Sequence, residues 1–533
     1  MPKSVLPDFL PRILAGAVLA AAVGAAWAAE PPDSAQLRFD IARFDISGNT
    51  LLSQAEADAA VAPFAGRQRD FGDVQRALDA LEAAYQTHGY KLVTVQLPEQ
   101  ELNGGVVRLL VRQTVVKRVT VTGNRQFSQA NIRRSLPALR EGASPDLDAV
   151  SASLRLANES PAKQVQMKLE SADDNDEAVD ALVTVSESTP WRVSLNVDNS
   201  GTGPTGKTHV GTVLQHANLW GRDHVASLQY TTTAEQPSKV AVWGAGYHVP
   251  LYELGDAVDL YASYSNIDSG SVTAGLFNLA VSGKGSVAGV RYNHILARRG
   301  ERDSRIVGGL EVKAYKNSVL YAGENFGSDV TVRPLSIGYV ASLPLQAGSV
   351  DASLTLVRNV PGGSRGGDAD FARARTGADP GYALLRFAGA YARALPRDWQ
   401  LRLLINGQLT GAALVPGEQF GAGGGSSVRG LEERALATDS GVLLNAELYS
   451  PALCASANWQ CRVLVFTDAA HGRRHHALAG ELDSASVASA GVGVRLAMGQ
   501  SFSLQADYGH VLNDGGIAGA GANKLHVRVG LSY

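Results

Sequence analysis

Few stretches of this chain bring charged or reactive side chains together at a spacing that chemistry uses. The most distinctive is the run Gly421-Ala422-Gly423-Gly424-Gly425-Ser426-Ser427-Val428-Arg429-Gly430-Leu431, which holds one guanidinium among glycines. So much glycine lets a backbone fold tightly or press against another wall. Downstream stands Phe466-Thr467-Asp468. Arg462, Leu464, Phe466 and Asp468 share one face of an alternating segment, and Val463 and Val465 share the other. If the valine face meets lipid, the Asp468 carboxylate points the other way, where Arg429 could reach it. The chemistry on offer is a charge-assisted, bidentate arginine–carboxylate pair. Residue types alone leave two readings open: that pair, or a solvated loop arginine with no fixed partner.

Other candidates are weaker. Gly201-Thr202-Gly203-Pro204-Thr205-Gly206-Lys207-Thr208 matches a phosphate-binding G-x-x-x-x-G-K-T pattern. Phosphate binding needs backbone N–H groups aimed by a helix, yet His209 to Leu219 alternates like a strand and Pro204 removes a donor. No nucleotide is expected. Arg473-Arg474-His475-His476 lacks a chelating spacing. Asp173-Asp174-Asn175-Asp176-Glu177 fits no calcium loop and reads as a solvated turn. Cys454 and Cys461 flank a turn, where a disulfide is possible in an oxidising compartment. Nothing calls for a catalytic triad, a cofactor or a metal, so no enzyme is expected.

The composition narrows the elements that must position these groups. Of 533 residues, 19% are charged and the net charge is 48 − 51 = −3, which argues against nucleic-acid binding through bulk attraction. Two Cys exclude a disulfide scaffold. A helical membrane bundle needs repeated apolar runs of roughly 18 residues, and only one is present, at the N-terminus. Lys3 and Arg12, the apolar Ile13 to Ala29 and the small-x-small Ala26-Trp27-Ala28 read it as an export signal over residues 1–28, followed by a linker over 29–38. An exported chain works without an ATP pool.

Residues 39–113 and 114–189 then repeat one order, β-α-α-β-β. In the first, Phe39 to Thr50 alternates like a strand and ends at Gly48-Asn49, and Ser53 can cap a short helix. Val74, Leu78, Leu81 and Tyr85 mark a longer helix, before strands at Lys91 to Leu97 and Val106 to Val111. In the second, a strand Val115 to Thr122 closes at Gly123-Asn124. Helices around Ser128 to Leu139 and Leu147 to Ala157 and strands near Gln164 to Leu169 and Val179 to Val185 complete it. A small sheet under two helices leaves strand edges to which an extended polypeptide can add.

After Pro190, period-2 alternation takes over. Trp191, Val193, Leu195 and Val197 oppose Arg192, Ser194, Asn196 and Asp198, and Leu525 to Tyr533 repeats the pattern. About sixteen strands follow one another, an even number in the barrel range. Short turns (Trp220-Gly221-Arg222, Leu343-Pro344-Leu345, Leu395-Pro396-Arg397, Met498-Gly499-Gln500) alternate with long loops such as Val360 to Pro380 and Val415 to Ser440. Short turns on one rim and long loops on the other predict a transmembrane antiparallel β-barrel over 190–533 with a wet lumen, its outside in the lipid bilayer.

The duplicated unit resembles a tandem pair of polypeptide-transport-associated (POTRA) domains. Tyr85, Gly89-Tyr90 and Pro98-Glu99-Gln100 carry the likeness to the first such domain of two-partner secretion transporters. Val428-Arg429-Gly430 resembles the V-R-G-[F/Y] signature of that superfamily's sixth loop, here about 415–440, and Phe466-Thr467-Asp468 its F-x-D partner on the barrel wall. The resemblance implies that the loop folds into the lumen and that Arg429 meets Asp468. Leu431 departs from the usual aromatic of that signature. The resemblance implies an α+β periplasmic pair of POTRA domains, an outer-membrane barrel, and export of one large, unfolded partner protein, an adhesin or cytolysin. An outer-membrane insertase of the same superfamily and a passive porin are the rival readings. Some relatives carry an N-terminal plug helix, for which the stretch between Glu30 and Arg38 leaves no room.

Overall fold

The computed structural model describes residues 38–533 except 173–174, 202, 204, 267–270, 275–276, 281–283, 317–319, 322–323, 326–328, 455, 457, 478–479 and 518–522. The signal, nearly all of the linker, Pro204, Asp173 and Asp174 therefore lie outside the described residues. Two compact units divide the chain: the part ending at Ala84 joins Val95–Val111, and Tyr85–Thr94 joins Arg112–Tyr533.

In the first repeat, Phe39 to Thr50 is not one strand. β1 (Phe39–Ile41) pairs antiparallel with β3 (Gly66–Arg69), whereas β2 (Arg43–Ser47) runs parallel to β5 (Val106–Gln113). The switch occurs at Ala42, whose N–H donates to the Gly105 carbonyl at 2.7 Å. β3 escaped the sequence reading because Arg67-Gln68-Arg69 shows no apolar alternation. Between them lies α1 (Gln54–Val61), started by Ser53 in a capping box with Glu56. In α2 (Phe71–Thr87) the stripe Val74, Leu78, Leu81 and Tyr85 is buried. β4 (Val93–Gln96) completes the sheet order β2-β5-β4.

The second repeat has sheet order β6-β8-β7, with β6 (Val115–Thr122), β7 (Lys163–Ala172) and β8 (Asn175–Glu187). α3 (Gln129–Arg134) is shorter than expected. Pro137 cannot donate to the helix and disfavours helical backbone at Leu136. α4 (Leu147–Ala157) begins under an Asp146 cap.

Among the described residues the barrel closes with sixteen antiparallel strands, from β9 (Trp191–Asp198) to Asn523–Ser532, which pair with each other. Val330–Val332 and Pro334–Leu345 both pair with Asp303–Tyr315 and form one strand interrupted at Arg333. Pleat parity sorts the side chains as expected: Val463, Val465, Leu354 and Leu356 face outward, while Asp259, Asp468 and Asp507 are buried inside. Trp191, Trp220, Trp399 and Trp459 stand exposed on the short-turn rim, where aromatics suit a membrane interface.

Cys454 and Cys461 form a disulfide across a short-rim turn, with Cα atoms 5.3 Å apart. So short a loop gives a cross-link worth roughly 2.5 kcal/mol at most. Neighbouring Arg462 holds the same turn: its Nη2 donates to both Asp398 carboxylate oxygens at 2.9 and 3.0 Å, and its Nη1 to the Asp398 carbonyl at 2.8 Å. Replacing both cysteines by serine is therefore expected to leave folding and membrane insertion intact, as read by heat-modifiable migration on a gel.

The second repeat is joined to the barrel by a buried polar network. Lys163 donates to Asp223 at 2.5 Å and to Asn131 at 3.0 Å. Asn131 and Tyr252 donate to the same carboxylate at 2.9 and 2.8 Å. Burial pulls the Lys163 ammonium below its usual range, and Asp223 opposes that. Val116, Ile132, Leu136 and Leu156 pack in one apolar cluster with Ala217, Val225, Tyr252 and Ala257 of the barrel's short-turn rim. Removing one partner of such a pair typically costs roughly 3–5 kcal/mol, because the other charge stays buried. Lys163→Met should thus loosen the module, seen as faster protease cleavage within residues 114–189. Adding Asp223→Asn should restore protection, since asparagine removes the orphan charge and tolerates the left-handed φ of +62° at that position.

Candidate functional site in the barrel lumen

Loop 6 leaves strand Gln400–Thr410, enters the lumen and returns at Ser440–Tyr449. Its glycines serve two purposes. Gly423 and Gly424 take φ of +115° and +101°, which turns the chain back. Gly430 lies so close to the wall that an added Cβ there would meet the Gly509 carbonyl at 3.0 Å. Gly509 answers from strand Phe502–Asn513, where a Cβ would meet the Gly430 nitrogen at 2.5 Å. Two glycines are thus the condition for backbone-to-backbone contact between the loop tip and the wall.

That contact aims Arg429. Its Nε and Nη2 donate to the two Asp468 oxygens at 2.8 and 2.7 Å, and its backbone N–H adds a third bond to Asp468 at 3.1 Å. Nη1 donates to Glu447 at 2.7 Å. The guanidinium carbon lies 3.5 Å from the centre of the Phe466 ring, a cation–π contact. Asp468 is 1% exposed, and Asn445 donates to it at 2.7 Å. Gly430 N–H donates to His526 Nε2 at 3.0 Å. Val428 and Leu431 are fully buried in a cluster with Ala422, Leu436, Leu443 and Val487. Leucine thus supplies apolar bulk at the position where the resembled signature has an aromatic.

The structure brings together Val428, Arg429, Gly430, Phe466 and Asp468. Sequence reasoning missed Glu447, Asn445, His526 and Gly509. The register places Asn445 opposite Asp468 and Glu447 opposite Phe466 on the inward face, a relation between strands that no single segment displays. Beneath the tip, a polar cavity of about 990 Å³ is lined by Arg393, Arg402, Glu447, Arg495, Asp507 and His526.

The other singled-out residues fall elsewhere. Tyr85 is buried in α2, where desolvation pushes its hydroxyl up to about 12. Gly89, at φ +85°, turns the chain after α2, and Tyr90 N–H returns to the Tyr85 carbonyl at 3.0 Å. Gln100 pairs with the Arg108 backbone as a strand would, donating to its carbonyl at 2.8 Å and accepting from its N–H at 2.7 Å. Pro98 and Gln100 line a groove of about 780 Å³ with Phe71, Val74 and Leu102. His209–Leu219 is a strand, so no helix follows the G-K-T run. Arg474 donates to the Ala437 carbonyl, and His475 N–H to Asp439. Among the described residues no group of three or more His, Cys, Asp or Glu is placed to hold a metal ion.

Comparison with known proteins gives consistent results. Residues 179–496 match the family described as haemolysin secretion/activation protein ShlB/FhaC/HecB, and residues 39–114 match the ShlB-type POTRA domain. The outer membrane transporter CdiB of Escherichia coli O6:K15:H31 is 24% identical over 425 residues, covering 77% of this chain and 68% of that protein. Solved structures of CdiB from Escherichia coli (TM-score 0.72, 20% identity) and Acinetobacter baumannii (TM-score 0.68, 16% identity) each cover 95% of this chain and 93% of theirs, and share its fold.

Proposed function

The chain belongs to the ShlB/FhaC/HecB family of haemolysin secretion/activation proteins, and on that premise we propose that it exports one large partner protein, an adhesin or cytolysin, through its barrel. This is two-partner secretion across the bacterial outer membrane, with the POTRA domains in the periplasm. The unfolded partner docks on those domains by adding a strand to an open sheet edge, with apolar side chains reaching the groove beside Phe71 and Pro98. It then enters the polar cavity beneath loop 6. Arg429 and Asp468 seat the loop across the lumen at rest, and passage requires a loop that leaves this seat and returns to it. Folding of the emerging segment outside supplies the direction that ATP would otherwise give.

The observation that carries this reading is the seated loop tip: one arginine, hydrogen-bonded through all three of its guanidinium nitrogens to two wall carboxylates above the polar cavity. Depleting the protein and surveying the outer membrane and medium tests it. Loss of one large exoprotein is the expected result. General loss of outer-membrane barrels would instead identify an insertase, and a defect confined to small-solute uptake would identify a porin.

A further inference from the structure

The lumen wall carries inward polar side chains such as Asp259, Asn293 and Gln229. Its outer end is different. There Tyr315, Val332 and Val357 of the wall pack with Phe371 and Tyr382 of loop 5 and Leu414 of loop 6 in a buried apolar cluster. Two buried carboxylates fasten loop 6 into that cluster at its two feet. Glu418, at the first foot, accepts from Lys313 at 3.0 Å, from Tyr315 at 2.7 Å and from Arg386 at 3.0 Å. Asp439, at the second foot, is gripped by both terminal nitrogens of Arg375, which follows helix α5 (Asp368–Ala374) in loop 5. It also accepts from Leu414 N–H at 3.0 Å and from His475 N–H of loop 7 at 2.7 Å. One carboxylate thus ties three surface loops together. Burial would raise both carboxyls, but the facing cations and donors hold them below their ordinary values.

We propose that Glu418, Asp439 and Arg375 form a second closure of the channel, which the emerging chain must break separately from the Arg429 latch. The two fastenings use different parts of the wall. Arg429 binds strands Ser440–Tyr449 and Trp459–Arg473, whereas Glu418 binds Asp303–Tyr315 and Ala383–Ala394. Releasing the tip therefore leaves the feet attached. An apolar core offers no wet path, so a channel with a free tip conducts only while loops 5, 6 and 7 are parted. Arg375, Glu418 and Asp439 are positioning residues: they set when the exit opens and touch no chemistry.

This inference rests on the export reading, and its test separates the two. Ala378 of loop 5 and Ala413 of loop 6 are β-bridge partners and buried, which places their Cα atoms about 5 Å apart, within disulfide range. Ala378→Cys/Ala413→Cys in the full-length protein, with Cys454 and Cys461 replaced by serine, staples the two loops reversibly. In the Arg429→Ala background, planar-bilayer conductance should fall when the staple is oxidised and return on reduction. With Arg429 intact, oxidation should abolish partner secretion and reduction restore it. Conductance needs no partner, so a staple that gates current in a strain secreting nothing would uphold the closure and defeat the export reading. A stapled protein, its cross-link verified by peptide mass, that conducts and secretes as well as the reduced form would overturn the closure. So would failure of the pair to oxidise in the resting protein.

Discussion

Arg429→Ala is expected to cut partner secretion by at least about tenfold while leaving the amount of protein in the outer membrane unchanged. The substitution removes the cation between two buried carboxylates: Asp468 keeps Asn445 as its side-chain donor, and Glu447 keeps Tyr449 and the more distant Arg402 at 3.9 Å. Leaving such charges unpaired typically costs roughly 3–5 kcal/mol, less in a wet lumen. Even half of that shifts the balance between seated and unseated loop by more than tenfold. The barrel does not depend on this pair, because its ladder closes through β9 and Asn523–Ser532. Insertion should therefore survive while the loop loses its seat, and small-ion conductance should rise as secretion falls. Arg429→Lys separates charge from shape. An ammonium keeps the attraction but cannot make two parallel bonds to Asp468 and a third to Glu447 in fixed geometry, so secretion should be intermediate. Secreted partner in the medium, normalised to the heat-modifiable barrel band, is the measurement. Normal export by the alanine variant would remove the loop from the mechanism.

How far this site could be read in advance follows from what one segment can display. The parity of Arg462 to Asp468 fixed which face Asp468 shares, because strand side chains alternate strictly. The glycine run announced close backbone approach. Glu447 and His526 look like any inward polar residue of a wet barrel, and only register puts them at the height of the loop tip. Register depends on turn geometry and on the pairing of whole strands, and a slip of one residue exchanges the faces. Lys163 was unreadable for a related reason. A lysine opening a strand looks solvated, and its burial comes from docking against the turn that presents Asp223. The opposite error occurred at Phe39 to Ser47. Its alternation was real, but alternation does not say whether one partner strand or two will pair with it, and a change of partner at Ala42 divides it. Leu431 shows what this chain places where the signature has an aromatic: an aliphatic side chain completely buried in one cluster with Val428.

Deleting residues 39–188 should abolish secretion outright and still leave an inserted barrel, a stronger effect than any single substitution. The two halves of that expectation have separate causes. Secretion fails because the edge strands and the groove beside Phe71 go with the deleted modules, and the barrel ladder that remains is closed among the described residues. The barrel survives because each of its strands pairs within residues 191–532. The deletion also differs from Lys163→Met in sign at the joint. With the whole module gone, Asp223 faces periplasmic water and carries no penalty, whereas removing the lysine alone leaves Asp223 buried and unpaired. What remains exposed is the apolar rim of Ala217, Val225, Tyr252 and Ala257, beside the membrane interface where such side chains are tolerated. The truncated protein should therefore migrate as a heat-modifiable barrel and secrete nothing. Measurable export of the partner by that barrel would refute docking on the modules, and loss of the barrel itself would show that the joint at Lys163 and Asp223 is needed for assembly.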